Sequence, residues 1–146
     1  MTANRRMPTG LYSVARPADV GGAMDRLRAH WLVLAVPEDE REELVQAFDV
    51  YAMPAQWSVF RKGEPAGGLF VVLSGRLRAH LDHGGHVDMG AGEVIGEVSL
   101  LLDAPRAADV TTVRDTVVAY LHHDVLTGFA SRFPDLWREL GALASR

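Results

Sequence analysis

The chain has no cysteine, no apolar run long enough to cross a bilayer and no excess of basic residues, and each absence removes a class of function. Without cysteine there is neither a disulfide framework nor a thiolate metal site. Fifteen Lys and Arg against 19 Asp and Glu give a formal net charge of −4. The arginines are scattered, so there is no electrostatic footprint for a nucleic-acid backbone. The opening segment "MTANRRMPTGLYSVARPADVGG" lacks the continuous apolar stretch of a signal peptide, and the expected setting is cytoplasmic, with no membrane partner. A P-loop glycine run is also missing, as is any nucleophile with an evident base and orienting partner, so no catalytic residue, cofactor or enzymatic activity is expected.

What remains is a chain of 146 residues, 48% hydrophobic, which suffices for one sizeable core. Residues 1–22 mix Pro, Gly, Ser and Arg without periodicity and read as a tail or linker, leaving 23–146 as the domain. Met24, Leu27 and Trp31 recur at helical spacing. After Pro37, "PEDEREELVQAF" crowds acids into a first turn, where the helix dipole favours them, and turns Leu44, Val45 and Phe48 inward.

Beyond Phe48 the period drops to two. Eight short runs, "VYAMP", "WSVF", "GLFVVLSG", "RLRAHL", "HVDM", "EVIG", "ADVTTV" and "TVVAYL", are rich in β-branched and aromatic residues and separated by turn signals. No helix-length crossover intervenes, which predicts a mainly β fold, a sandwich or jelly roll, with flanking helices. The helical period returns in "HDVLTGFASRF", with Val125, Leu126 and Phe129 inward. Pro134 then opens a last helix carrying Leu136, Leu140 and Leu143 on one side.

The stretch "GEVSLLLDAPRAADV" at 96–110 ends a β-like run with a carboxylate and places a guanidinium nine residues later, both beside small residues. Glu97 follows a strand and precedes one or two helical turns, whose free N–H groups attract an anion. Arg106 supplies a planar guanidinium whose paired donors match two phosphate oxygens, and Ala107 and Ala108 leave room for a ligand beside the backbone. A carboxylate so near a phosphate needs something neutral between them, and a ribose hydroxyl serves. The pair reads as a clamp for a nucleotide monophosphate, against the alternative of a surface ion pair.

This stretch resembles the phosphate-binding cassette of cyclic nucleotide-binding domains, as found in the catabolite activator family and in protein kinase A regulatory subunits. "FRKGEPAGGLFVVLSGRLRAHL", with Gly63, Gly68 and Gly75, is similar to that family's strand-turn-strand entry, and "GAGEVIGE" to its approach to the cassette; the likeness runs from about Met24 to Arg146. It implies an eight-stranded β-jelly-roll with N-terminal helices and two C-terminal helices. By the same resemblance Glu97 accepts the ribose 2′-hydroxyl and Arg106 meets the cyclic phosphate. N–H groups around Val98, Ser99 and Ala107 bind phosphate oxygens, Gly96 lets the backbone approach the sugar, and Ala79 and Val87 pack on the purine. Alanine rather than a hydroxyl residue after the arginine implies cyclic AMP, with cyclic GMP the lesser expectation.

The resemblance further implies a regulatory domain that signals by moving its C-terminal helices against an effector domain or partner protein. Leu100 or Leu101 is the expected transmitter and Phe129 or Leu136 the receiver. Three departures stand out: a hairpin "RAHLDHGGHVDMGAG" shorter than in the catabolite activator, a final helix ending near where the family's base-capping segment continues, and no helix-turn-helix to read DNA. Two alternatives stay open. A degenerate module would keep the fold and bind no ligand, and a metal-dependent jelly-roll enzyme would need His80, His83 and His86 to converge. The three are expected instead to face solvent on a hairpin.

Overall fold

The computed structural model describes residues 20–96 and 104–144. Its N-terminal part is helical: α1 (Val20–Arg28), α2 (Trp31–Leu34), a 3-10 turn (Glu38–Glu40) and α3 (Arg41–Ala47). Eight strands follow: β1 (Asp49–Met53), β2 (Ser58–Phe60), β3 (Gly68–Ser74), β4 (Arg76–His80), β5 (His86–Gly90), β6 (Val94–Ile95), β7 (Asp109–Thr112) and β8 (Thr116–His122). Two helices close the described chain, α4 (His123–Arg132) and α5 (Pro134–Ala144).

The strands form two antiparallel four-stranded sheets, ordered β1-β8-β3-β6 and β2-β7-β4-β5. This is the jelly roll with flanking helices that the strand periodicity predicts. Its first sheet is covered on both faces, which is why β3 and β8 read as nearly unbroken apolar runs. Alternate residues go to opposite sides. Leu69, Val71, Ala119 and Leu121 join the helices' Leu27, Leu44, Leu126 and Leu136 in one cluster. Phe70, Val72, Val118 and Tyr120 turn inward against Phe60, Leu77 and Val110 of the second sheet.

The helix expected through Met24, Leu27 and Trp31 is broken. Chain direction changes at Ala29–His30, where His30 is extended and caps α2, its Nδ1 accepting from the Leu32 N–H at 3.1 Å. Trp31 therefore starts a separate turn, although it still packs on the same cluster. The first described helix, α1, begins at Val20. The acids after Pro37 form the 3-10 turn and only then α3. In α5, Leu136 and Leu140 are buried as expected; the side chain of Leu143 lies outside the described residues.

His30 also ties the helical layer to the roll. With Nδ1 acting as acceptor, its Nε2–H donates to the Gly92 carbonyl at 2.7 Å, in the turn between β5 and β6. Burial holds its pKa below the ordinary 6.5, and the Gly92 hydrogen bond opposes that only in part. The folded protein thus keeps His30 neutral while the unfolded chain protonates at the ordinary value. Stability from this group is present above about pH 6.5 and is lost as pH falls below it, at up to roughly 1.4 kcal/mol per pH unit. Thermal unfolding of wild type and His30→Gln between pH 7 and pH 5 checks this: the wild type is expected to lose more stability on acidification, and parallel curves would refute it.

Candidate functional site

The site is built around a charge inside an apolar frame. Arg106 is only 2% exposed and lies beside Phe60 of one sheet and Phe70 of the other. Its guanidinium carbon lies 4.4 Å from the centroid of Phe60 and 5.7 Å from that of Phe70, and its Nη2 donates to the Gly68 carbonyl at 2.8 Å. Aromatic faces attract a cation, most strongly where water is excluded. Burying a guanidinium still costs several kcal/mol, so a sequence that places one here does so for something other than packing.

The backbone on either side is held as firmly as the side chain. The Arg106 N–H donates to the Glu64 carbonyl at 2.8 Å, and the Gly63 N–H to the Arg106 carbonyl at 2.9 Å. The loop 61–67 between β2 and β3 thus clasps the cassette residue from both sides. Lys62 N–H adds a bond to the Asp109 carboxylate at 2.7 Å. The same loop reaches α4, whose first residue, His123, donates its N–H to the Gly67 carbonyl at 2.8 Å.

Two glycines make this packing possible. Gly96 adopts φ +95°, and a Cβ there would collide with Arg106 Nη1. The space on the Cβ side of Gly96 is filled by the Arg106 guanidinium. Gly68 lies in β3 with an ordinary φ, but a Cβ on it would run into the Leu121 carbonyl and stand 2.9 Å from the Tyr120 ring and hydroxyl.

Of the expected site residues, Ala79 and Val87 are brought together as direct partners across β4 and β5. Alternation puts both on the face of Leu77 and Met89, the inward one. Ala79 packs on the inner cluster, whereas Val87 is 51% exposed. An exposed valine on an inward-pointing face is an open apolar wall, suited to a flat apolar ligand surface. Ala107 is exposed and Ala108 half-buried, so neither blocks approach to Arg106. Glu97, Val98, Ser99, Leu100 and Leu101 lie outside the described residues.

The hairpin histidines are exposed. His80 and His86 face each other in register, and His80 Nε2 bonds Thr111 Oγ1 at 2.9 Å. Among the described residues no three His, Asp or Glu side chains gather as metal ligands. Sequence reasoning missed two members of the site, Phe60 and Tyr120. Both sit inside apolar runs whose periodicity reports burial but not what the ring lies against. The only signal for Phe60 was its place directly before the glycine-containing loop.

Comparison with known proteins agrees with this geometry. The family model described as the cyclic nucleotide-binding domain matches residues 52–133. The Pycsar effector protein XpPycTIR of Xanthomonas perforans is 27% identical over 82% of this chain and 40% of its own length. An NTE family protein of Mycobacterium tuberculosis is 30% identical over 92% of this chain and 22% of its own. The chain therefore spans well under half of these curated relatives. Among solved structures, the catabolite activator protein of Thermus thermophilus is 27% identical with a TM-score of 0.69, over 79% of this chain and 56% of that one. The regulatory domain of Toxoplasma gondii protein kinase A, solved with cyclic AMP, is 26% identical with a TM-score of 0.66, over 78% of this chain and 45% of that one.

The two-sided constraint on Gly96 generates a test. Gly96→Ala forces a left-handed backbone and an occupied space at once, and is expected to cost about 1–3 kcal/mol of stability. Gly90→Ala, whose Cβ would meet nothing within 4 Å, serves as the control and is expected to stay within about 0.5 kcal/mol of wild type. Chemical denaturation of both checks it, and equal midpoints would contradict the account.

Proposed function

This chain belongs to the cyclic nucleotide-binding domain family, and we propose that it is a regulatory module that takes cyclic AMP, with Arg106 on the cyclic phosphate and Glu97 on the ribose 2′-hydroxyl. The observation that carries this reading is the buried Arg106 guanidinium on its Phe60 and Phe70 floor. Its position is set before any ligand arrives, so little ordering is left for binding to cost. A low-dielectric surround also strengthens its attraction for a single anionic phosphate. Ala79 and Val87 offer the purine an apolar wall. Ala107 presents no hydroxyl to a guanine, which favours adenine.

The expected output is mechanical. Adjacent carbonyls join the ligand site to the C-terminal helices: Gly68 accepts from Arg106 and Gly67 from the first residue of α4. Phe129 and Leu136, the receivers the cassette leucines are expected to push, lie in the same buried cluster as α1 and α3. Arg132 of α4 reaches Glu40 at 2.9 Å and Glu43 at 3.4 Å, an exposed link worth at most about 1 kcal/mol that a small shift can exchange. On the outer side Trp137 is 41% exposed beside a cavity of about 210 Å³ lined by Thr127, Ala130 and Ser131. That surface suits an attached effector domain or a partner protein, and ligand would act by biasing two arrangements of these helices.

Calorimetric titration checks the reading. Cyclic AMP is expected to bind with one site per chain and to outcompete cyclic GMP. Arg106→Ala is expected to weaken it by about 2–3 kcal/mol, the range for a lost charge-assisted hydrogen-bond pair. Glu97→Ala is expected to weaken cyclic AMP but to change 2′-deoxy cyclic AMP much less. No heat with either nucleotide at millimolar concentration would leave a ligand-free interaction module as the function.

A further inference from the structure

Tyr120, in β8, carries a hydroxyl that packing does not explain. The residue is fully buried, its ring centroid 4.7 Å from that of Phe70 and 4.9 Å from that of His122 in an edge-on contact. The hydroxyl has no hydrogen-bond partner among the described residues. A buried donor left unsatisfied destabilises a fold, and phenylalanine would fill the same space without that cost. A hydroxyl kept under those conditions points to a partner that arrives from outside.

Its location narrows what that partner is. The hydroxyl faces Gly68, where an added Cβ would stand 2.9 Å from it, and the carbonyl of the same Gly68 receives Arg106 Nη2 at 2.8 Å. One glycine therefore neighbours both the phenol and the guanidinium. Burial pushes the Tyr120 pKa up to about 12, with the Arg106 charge pulling the other way, so the group remains a protonated donor throughout the physiological range.

We propose that the Tyr120 hydroxyl is a further ligand-binding donor of this site, giving its proton in a hydrogen bond to a phosphate oxygen of the nucleotide that Arg106 holds. This rests on the cyclic nucleotide reading above and adds to it a residue from the β-roll floor. Arg106 supplies charge and two in-plane donors; Tyr120 supplies one neutral donor from a different direction, which fixes the orientation of the phosphate as well as its presence. Because the phosphate is common to cyclic AMP and cyclic GMP, the contribution is indifferent to the base.

Tyr120→Phe tests this, since it keeps the ring and removes one oxygen. The free variant is expected to unfold at the same temperature as wild type or higher, because a costly buried donor is gone. Its affinities for cyclic AMP and cyclic GMP are expected to fall together by about tenfold, the scale of one hydrogen bond to a charged group. Unchanged affinity in a variant whose wild type binds would overturn the assignment. A drop in the free protein's unfolding temperature alongside weaker binding would make Tyr120 a packing residue and overturn it too, and a loss confined to one nucleotide would move the hydroxyl to the base. If the wild type itself bound neither nucleotide, the parent reading would fail first, an outcome distinct from all three.

Discussion

A single guanidinium held against an aromatic ring organises this molecule. Arg106 stands over Phe60, bonds the Gly68 carbonyl and is gripped through its own backbone by Gly63 and Glu64. Remove the charge and the left-handed Gly96, the loop 61–67 and the narrow approach of Gly68 to Tyr120 lose a common reason. A buried cation is expensive in a sandwich interior, and an apolar side chain of similar volume would serve packing better. The reading proposed above gives that expense a purpose, an anion for Arg106 to bind, so the placement of this one residue bears on function as well as on fold.

The frame around it offers the proposed ligand a short route to the helices. The first sheet lies between two apolar clusters, so a residue of β3 or β8 touches the ligand side with one neighbour and the helices with the next. Gly67 and Gly68 compress this into two consecutive carbonyls, one serving α4 and the other Arg106. Packed interiors respond to small displacements by exchanging one arrangement for another, not by yielding gradually. A shift of the Arg106 segment has a short physical route to α4. His30 gives the opposite side of the sheet a comparable anchor, joining α2 to the turn before β6.

Much of this was legible in the order of residues, for reasons that can be named. The strands follow from short β-branched and aromatic runs between glycine-bearing turns, which have few other ways to fold. The candidate ligand residues Gly96 and Arg106 stand out because neither serves a sandwich. Illegible were the features that depend on what lies opposite: the break at Ala29–His30, where a histidine chosen for its two ring nitrogens interrupts a helical period, and Phe60, whose ring is a floor for a cation. Tyr120 is the clearest case. Within "TVVAYL" it reads as one more core aromatic, and only the packed structure shows its hydroxyl without a partner and beside Gly68. The central acid and leucines of the cassette, Glu97, Leu100 and Leu101, remain readings of sequence alone.

The central claim is that Arg106 is the anion-binding group, positioned in advance. Its side-chain Nε–H resonance reports this most directly in a titration of the free protein with cyclic AMP followed by nitrogen-15 NMR. Burial predicts a resonance that exchanges slowly with water before ligand is added, then moves and saturates at one equivalent, together with the phosphorus-31 signal of the nucleotide. Nucleotide binding that left the Arg106 resonance where it began would contradict the account.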